Sequence, residues 1–236
     1  METQSMTRTA PCPICGVPVT REAVIFLGRE LLAGLACLCQ ACDDKRALEE
    51  ATAKAARSFR DAWEKIVPPA YQCAQIESVS VRLRQAANWL PKVGQTGLGI
   101  HGPSGCGKTH CMALMVLSAA IPFRWLTGAS LRALALNAAM LDGADRDDAR
   151  KTLASLRNVP LLVIDDLAEV KFTEAFAEKL FELLEHRNTA LLLTCWTAQH
   201  GPGRLAAKIA AGKGVDQGTA EAIERRLVQH SVIFEG

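Results

Sequence analysis

Eight consecutive residues, Gly102-Pro103-Ser104-Gly105-Cys106-Gly107-Lys108-Thr109, restrict what this chain can fold into more than anything else in it. They fit G-x-x-x-x-G-K-[ST], a loop whose backbone N–H groups wrap a polyphosphate. Glycines let the main chain approach the anion and adopt positive φ, and the helix that follows adds its N-terminal dipole. Lys108 is placed to reach the β- and γ-phosphates, and the Thr109 hydroxyl to ligate Mg²⁺. The context agrees, with the short apolar run Leu98 to Ile100 before the loop and a helical pattern from Cys111 to Ala120 after it. A strand, a glycine loop and a helix in that order predict an ATP-binding α/β domain.

A second motif, Leu161-Leu162-Val163-Ile164-Asp165-Asp166, supports this expectation. Four apolar residues read as a buried parallel strand. The acid pair then falls at its carboxyl end, where open α/β sheets bind ligands. Asp165 is the candidate Mg²⁺ ligand and Asp166 the candidate group that orients or deprotonates the attacking water. An acidic helix cap is the bland alternative, and the phosphate loop upstream argues against it.

At 236 residues with a formal charge of +2, the chain has room for one α/β domain and something small, and it lacks a global basic field. Binding to DNA would have to use local patches. The longest apolar stretch, Leu31 to Cys39, is too short to span a membrane. Arg21, Glu22, Arg29 and Glu30 interrupt what a secretory signal would need. The expected setting is the cytosol, where thiols stay reduced and clustered cysteines suggest metal.

Five of the nine cysteines lie before position 43. Cys12, Cys15, Cys39 and Cys42 form C-x₂-C…C-x₂-C, with Gly16 just past the first pair, a pattern that predicts a small zinc-ribbon-like domain around a four-thiolate structural Zn²⁺ site. Cys37 is a rival to Cys39. The metal would also let some forty residues fold that could not bury enough surface alone. Buried free thiols are the alternative.

The expected organisation is a zinc-binding domain over 1–45, a linker helix over 46–68 and an ATPase domain over 69–236. From Asp43 to Ile66, Leu48, Ala51, Ala55, Phe59, Ala62 and Ile66 form one helical stripe, which Val67-Pro68-Pro69 ends. Beyond it strands are expected at Leu98–His101, Phe123–Leu126, Pro160–Asp165, Ala190–Thr194 and Val232–Phe234, alternating with helices. That pattern implies a parallel five-stranded sheet covered on both faces. Gly201 to Thr219, rich in Gly, Ala and Lys, reads as a loop between helices.

Taken together, the phosphate loop ending Lys-Thr-His110, the Leu-Leu-Val-Ile-Asp-Asp strand, Glu224-Arg225-Arg226-Leu227 and the Trp63 to Tyr71 segment resemble the AAA+ helicase loaders of the DnaC type. The related IstB-type transposition ATPases share the pattern. The resemblance covers about three-quarters of the chain. It implies a P-loop AAA+ core, self-association through the ATP sites, and Arg226 as an arginine finger acting in trans, with Arg225 in reserve. Such fingers contribute ~10³–10⁵ in rate. It further implies a hexameric replicative helicase of the DnaB type and single-stranded DNA as partners.

Two departures from the family pattern stand out. The family's polar sensor falls where Trp196 stands here, so Thr194 or Thr197 must substitute, and Thr194 is the choice made on sequence. The chain also ends at Gly236, with no room for a C-terminal helical lid. Combined with Asp166 in place of a longer Glu, this leads to an expectation of slow turnover, with ATP acting mainly as an assembly switch. The competing functions are a transposition helper that binds duplex DNA and a transposase, a small-molecule phosphotransferase, and an adaptor without meaningful hydrolysis.

Overall fold

A computed structural model describes residues 5–12, 16, 18–26, 29–32, 40–90, 97–229 and 231–236. The chain divides into two compact units, Met1–Ser58 and Phe59–Gly236.

In the first unit, β1 (Ser5–Pro11), β2 (Pro18–Phe26) and β3 (Arg29–Leu32) form an antiparallel sheet in that order. Pro11 pairs with Pro18, so the segment holding Cys12 and Gly16 is the turn between β1 and β2. Gly16 has φ +74° and donates its N–H to the Cys12 carbonyl at 2.8 Å, closing a tight turn suited to glycine. The long helix α1 (Gln40–Ile66) then begins. It starts three residues before the Asp43 expected from sequence, with Cys42 in its first turn. The unit boundary falls inside this helix.

Only the last part of the expected α1 stripe is packed. Leu48 is exposed, whereas Phe59, Ala62, Trp63 and Ile66 join the core of the second unit. Phe59 and Trp63 meet Phe123 with ring centroids 5.6 and 6.3 Å apart. Short turns follow, α2 (Pro69–Gln72), two 3₁₀ turns (Ile76–Ser78 and Val81–Leu83) and α3 (Arg84–Ala87).

The sheet of the second unit comprises β4 (Gly97–His101), β5 (Phe123–Thr127), β6 (Leu161–Asp165), β7 (Leu193–Ala198) and β8 (Ser231–Glu235). Its order is β5-β6-β7-β4-β8 and every pairing is parallel, as expected from sequence. The helices are α4 (Lys108–Ala119), α5 (Gly128–Met140), α6 (Gly143–Asn158), α7 (Glu174–Thr189), α8 (Arg204–Ala210) and α9 (Gln217–Val228). Thr127, Thr173 and Asp216 cap α5, α7 and α9 through side-chain oxygens, which settles where each begins.

Strand alternation sorts side chains into two cores. Leu98, Ile100, Leu161, Val163 and Cys195 face α4 with Met112, Met115 and Val116. Leu162, Ile164 and Trp196 face the other way, against α7 and α9 residues such as Phe176, Leu180 and Ile223. No helix among the described residues is long and apolar enough to cross a membrane.

Two boundaries differ from the sequence expectation. The fourth expected strand, Ala190–Thr194, is instead Leu193–Ala198, because residues before it turn: Leu191 sits at φ +53° and its N–H bonds to the Asn188 carbonyl. The stretch Gly201–Thr219 contains α8, whose Leu205 and Ile209 are fully buried.

Candidate nucleotide site

The phosphate loop leaves β4 and enters α4 through backbone geometry that only glycine accepts easily. Gly105 and Gly107 have φ +82° and +90°. A Cβ on Gly107 would lie 2.6 Å from the Ser78 carbonyl oxygen, so a side chain there would drive the loop off the 3₁₀ turn that braces it. The same brace donates the Ser80 N–H to the Cys106 carbonyl at 3.4 Å. Lys108 is 6% exposed, and its Nζ donates to the carbonyls of Gly102 and Pro103, both at 2.9 Å, which holds the ammonium at the loop's mouth. Pro103 and Ser104 are exposed on the outer rim. His110, just after the loop, meets Tyr71 edge-on at 5.0 Å, joining two elements far apart in sequence.

Asp165 ends β6, two strands from β4, and is 4% exposed. Its Oδ1 accepts from Thr197 Oγ1 at 2.6 Å and from Thr109 Oγ1 at 3.2 Å. Thr109 and Asp165, 56 residues apart, therefore converge as a Mg²⁺ site would need. Burial raises the Asp165 carboxyl above its ordinary value; the Thr197 hydrogen bond opposes this, the Asp166 charge adds to it, and Thr109 and Lys108 oppose it. A cation beside it would favour the charged form.

Asp166 follows in left-handed backbone, φ +52°, a conformation that Asp tolerates better than most residues. Its N–H donates to Thr197 Oγ1 at 2.8 Å. One hydroxyl thus donates to the first acid and accepts from the backbone of the second. Gly128, at the start of α5, lets that turn come close, since a Cβ there would be 2.9 Å from the Asp166 carbonyl oxygen.

The two threonines weighed as sensor on sequence lie apart in the structure. Thr194 lies near the amino end of β7, paired with Leu162 and Gly97, on the face opposite Asp165. Its hydroxyl accepts from Arg187 Nε at 2.9 Å. Thr197, at the carboxyl end, is the residue that reaches the acid pair. Trp196 is core: it crosses Gly99, where a Cβ would lie 2.5 Å from its ring, and its Nε1 donates to the Leu227 carbonyl at 3.0 Å.

Arg226, on α9, does not meet the phosphate loop of its own chain. It bonds to Glu185, donates to the Ala222 carbonyl at 3.1 Å and stacks 4.2 Å over the Phe181 ring. Arg225 beside it is exposed. Both line a depression of about 340 Å³ with Glu185, Asn188, Thr189 and Gln229.

Arg187 is a residue that sequence reasoning missed. It is fully buried, and its guanidinium donates to Thr194 and to the carbonyls of Leu156, Val159 and Leu193. Burial pulls its pKa down to about 10, so it stays charged at neutral pH. One side chain ties the ends of α6 and α7 to the start of β7.

Of the four expected zinc ligands, Cys15 and Cys39 lie outside the described residues, as does their rival Cys37. Cys12 and Cys42 face each other with sulfurs 3.8 Å apart. With Zn–S bonds of about 2.3 Å, the edge of a sulfur tetrahedron is itself about 3.8 Å. The two residues therefore fit a shared Zn²⁺. Among the described residues alone, no three potential ligands gather.

With this geometry in place, the comparisons decide the family. The family model for IstB-like ATP binding proteins matches residues 74–235. The chain belongs to the IstB-like ATP-binding family. Among curated proteins none matches it. Of solved structures, the DnaC helicase loader aligns at 18% identity over 71% of this chain and 99% of that one, TM-score 0.53. DnaI aligns at 18% identity over 71% and 93%, TM-score 0.53. A putative primosome component from Streptococcus pyogenes serotype M3 aligns at 20% identity over 72% and 88%, TM-score 0.52. At these identities the likeness establishes the fold alone, a parallel five-stranded sheet flanked by helices around a phosphate loop. This IstB-like chain is accordingly an ATPase.

Proposed function

We propose that the protein loads a hexameric replicative helicase onto single-stranded DNA, with ATP acting as the switch that assembles it. The observation that carries this is the likeness of fold to a helicase loader, which aligns over 99% of that chain and 71% of this one, together with a site fit for ATP. The expected setting is the cytoplasm, and the partners are a DnaB-type helicase, single-stranded DNA and further copies of this chain.

In this proposal the backbone of Gly102 to Thr109 cradles the triphosphate and Lys108 turns from its loop carbonyls onto the β- and γ-phosphates. Thr109 and Asp165 hold Mg²⁺, which supplies charge neutralisation on the phosphate oxygens. Asp166 orients the attacking water and takes its proton. Thr197 positions both acids through its hydroxyl. Arg226 leaves Glu185 and stabilises the γ-phosphoryl charge in a neighbouring subunit's site. Cys12, Cys15, Cys39 and Cys42 would hold a structural Zn²⁺ that stabilises the first unit, with no role in hydrolysis. That unit and α1 grip the helicase.

The test is to mix the protein with its cognate helicase and ATP. Co-elution of the two, and an ATPase rate that responds to single-stranded DNA, are expected; absence of both would overturn the proposal. The family match itself favours a second reading, a transposition helper. That alternative expects stimulation by duplex DNA and capture of a transposase instead.

A further inference from the structure

Four cations gather around one cavity on the second unit, none of whose lining residues belongs to the phosphate loop. Arg132 on α5, Lys171 just before α7, Lys208 on α8 and Lys213 after it line a space of about 370 Å³, closed below by Val170 and Phe172. No carboxylate lines it. Nor does any of the four form an ion pair among the described residues, whereas three cations of α6 are paired: Arg146 with Asp142, Lys151 with Asp148, Arg157 with Glu182. Cations that cluster without counter-charge repel one another, and a fold tolerates this where an anion arrives to compensate. The Arg132 Nε is moreover buried with no acceptor, a hydrogen bond left unmade.

The cavity is also built rather than accidental. Its segments leave the carboxyl ends of β5, β6 and β7, the end of the sheet where the acid pair lies. Lys213 is pinned to the opposite wall, its N–H bonded to the Phe172 carbonyl at 3.1 Å and its carbonyl accepting from the Glu174 N–H at 3.1 Å. Gly212 permits that closeness, since a Cβ there would lie 2.6 Å from Phe172 Cβ. Lys171, Lys208 and Lys213 are exposed at the rim while Arg132 is half-buried, so cationic groups run from the surface inward.

We propose that this cavity binds the phosphodiester backbone of single-stranded nucleic acid, with the three lysines neutralising successive phosphates and Arg132 donating from within. A space of this volume admits a nucleotide's sugar-phosphate but not a duplex, and spaced cations around an opening suit a chain of phosphates better than one compact anion. Phe172 is buried, so contact is with the backbone and carries no base preference. This site assignment rests on the proposed DNA-loading role and adds to it where the strand is held.

The experiment compares the full-length wild type with the triple variant Lys171→Glu, Lys208→Glu, Lys213→Glu, with Arg132→Gln, and with Lys151→Glu as control. Binding of a labelled oligothymidylate, its duplex counterpart and inorganic tripolyphosphate is followed across a salt series, and fluorescent-ADP binding reports that each variant is folded. The triple variant is expected to lose about tenfold or more in single-strand affinity, with a log K against log salt slope shallower by about two. Arg132→Gln should weaken binding without an added repulsion, and Lys151→Glu should leave it unchanged. Wild type that binds the single strand alongside a folded triple variant with the same affinity and slope would overturn the cavity assignment alone. Wild type that binds no single strand overturns the loading role with it. Duplex or tripolyphosphate bound more tightly than the single strand at this site would overturn the choice of ligand.

Discussion

Thr197 stands between the two acids that define the site, and its hydroxyl does two things at once. It donates to Asp165 Oδ1 and accepts from the Asp166 N–H. Thr197→Val keeps the shape and removes both bonds. Hydrolysis should fall roughly 10–100-fold, the usual cost of losing a group that orients a metal ligand, with little change in nucleotide binding; single-turnover kinetics beside a binding titration checks this. Thr194→Val should leave the hydrolysis rate alone, because that hydroxyl serves Arg187. Burial also sorts the thiols. Cys111 and Cys195 are held at pKa values of about 12 by desolvation and are sealed in the core. An alkylating agent at neutral pH should therefore label exposed Cys73 and leave both unmodified in the native protein, as read by peptide mass spectrometry. The motif residues were legible because a phosphate loop is local: eight neighbours specify it. Thr197 was not singled out because its role depends on where β7 starts, and the unbroken apolar run Ala190 to Leu193 hides that start. The left-handed turn at Leu191 and the Trp196–Gly99 contact set it, and neither is local information.

At the scale of elements, Arg187 shows how a charge can organise packing. Arg187→Met would leave the buried carbonyls of Leu156, Val159 and Leu193 without a donor. At ~1–3 kcal/mol for an unmet buried group, the expected loss is about 3 kcal/mol or more of unfolding free energy, read from urea denaturation with nucleotide absent. Sequence offered no sign of it, since a lone arginine in the last turn of a helix ordinarily reads as a favourable partner of the helix dipole. Capping is more local, since Thr173 precedes Glu174 and Glu178 at the start of α7. Asp216 caps α9, and hydrogen bonds from Thr219 lower its pKa below the ordinary carboxylate value. A lowered pKa contributes stability above the unfolded value, near ~4, and loses it as pH falls through the lowered one. Asp216→Asn should therefore flatten the acid limb of a melting-temperature profile below about pH 4 and leave the neutral region less changed.

For the whole molecule, alternation of short apolar runs with helical patterns was enough to anticipate the parallel sheet, because each buried strand must be covered on both faces. The three-stranded sheet of the first unit was not anticipated: Ser5–Pro11 carries no alternating apolar pattern, and its pairing with β2 closes across the cysteine turn. Cys12→Ser should release one equivalent of zinc, measured by a chromophoric chelator, and spare nucleotide binding, because the phosphate loop lies in the other unit. The proposed mechanism stands on this loop and the tip of β6 grasping one magnesium nucleotide together. A crystal structure with Mg²⁺ and a non-hydrolysable ATP analogue decides this. Lys108 Nζ is expected to have moved from the Gly102 and Pro103 carbonyls onto the phosphates, with the metal between Thr109 and Asp165. An analogue bound elsewhere, or a metal that Asp165 does not approach, would contradict it.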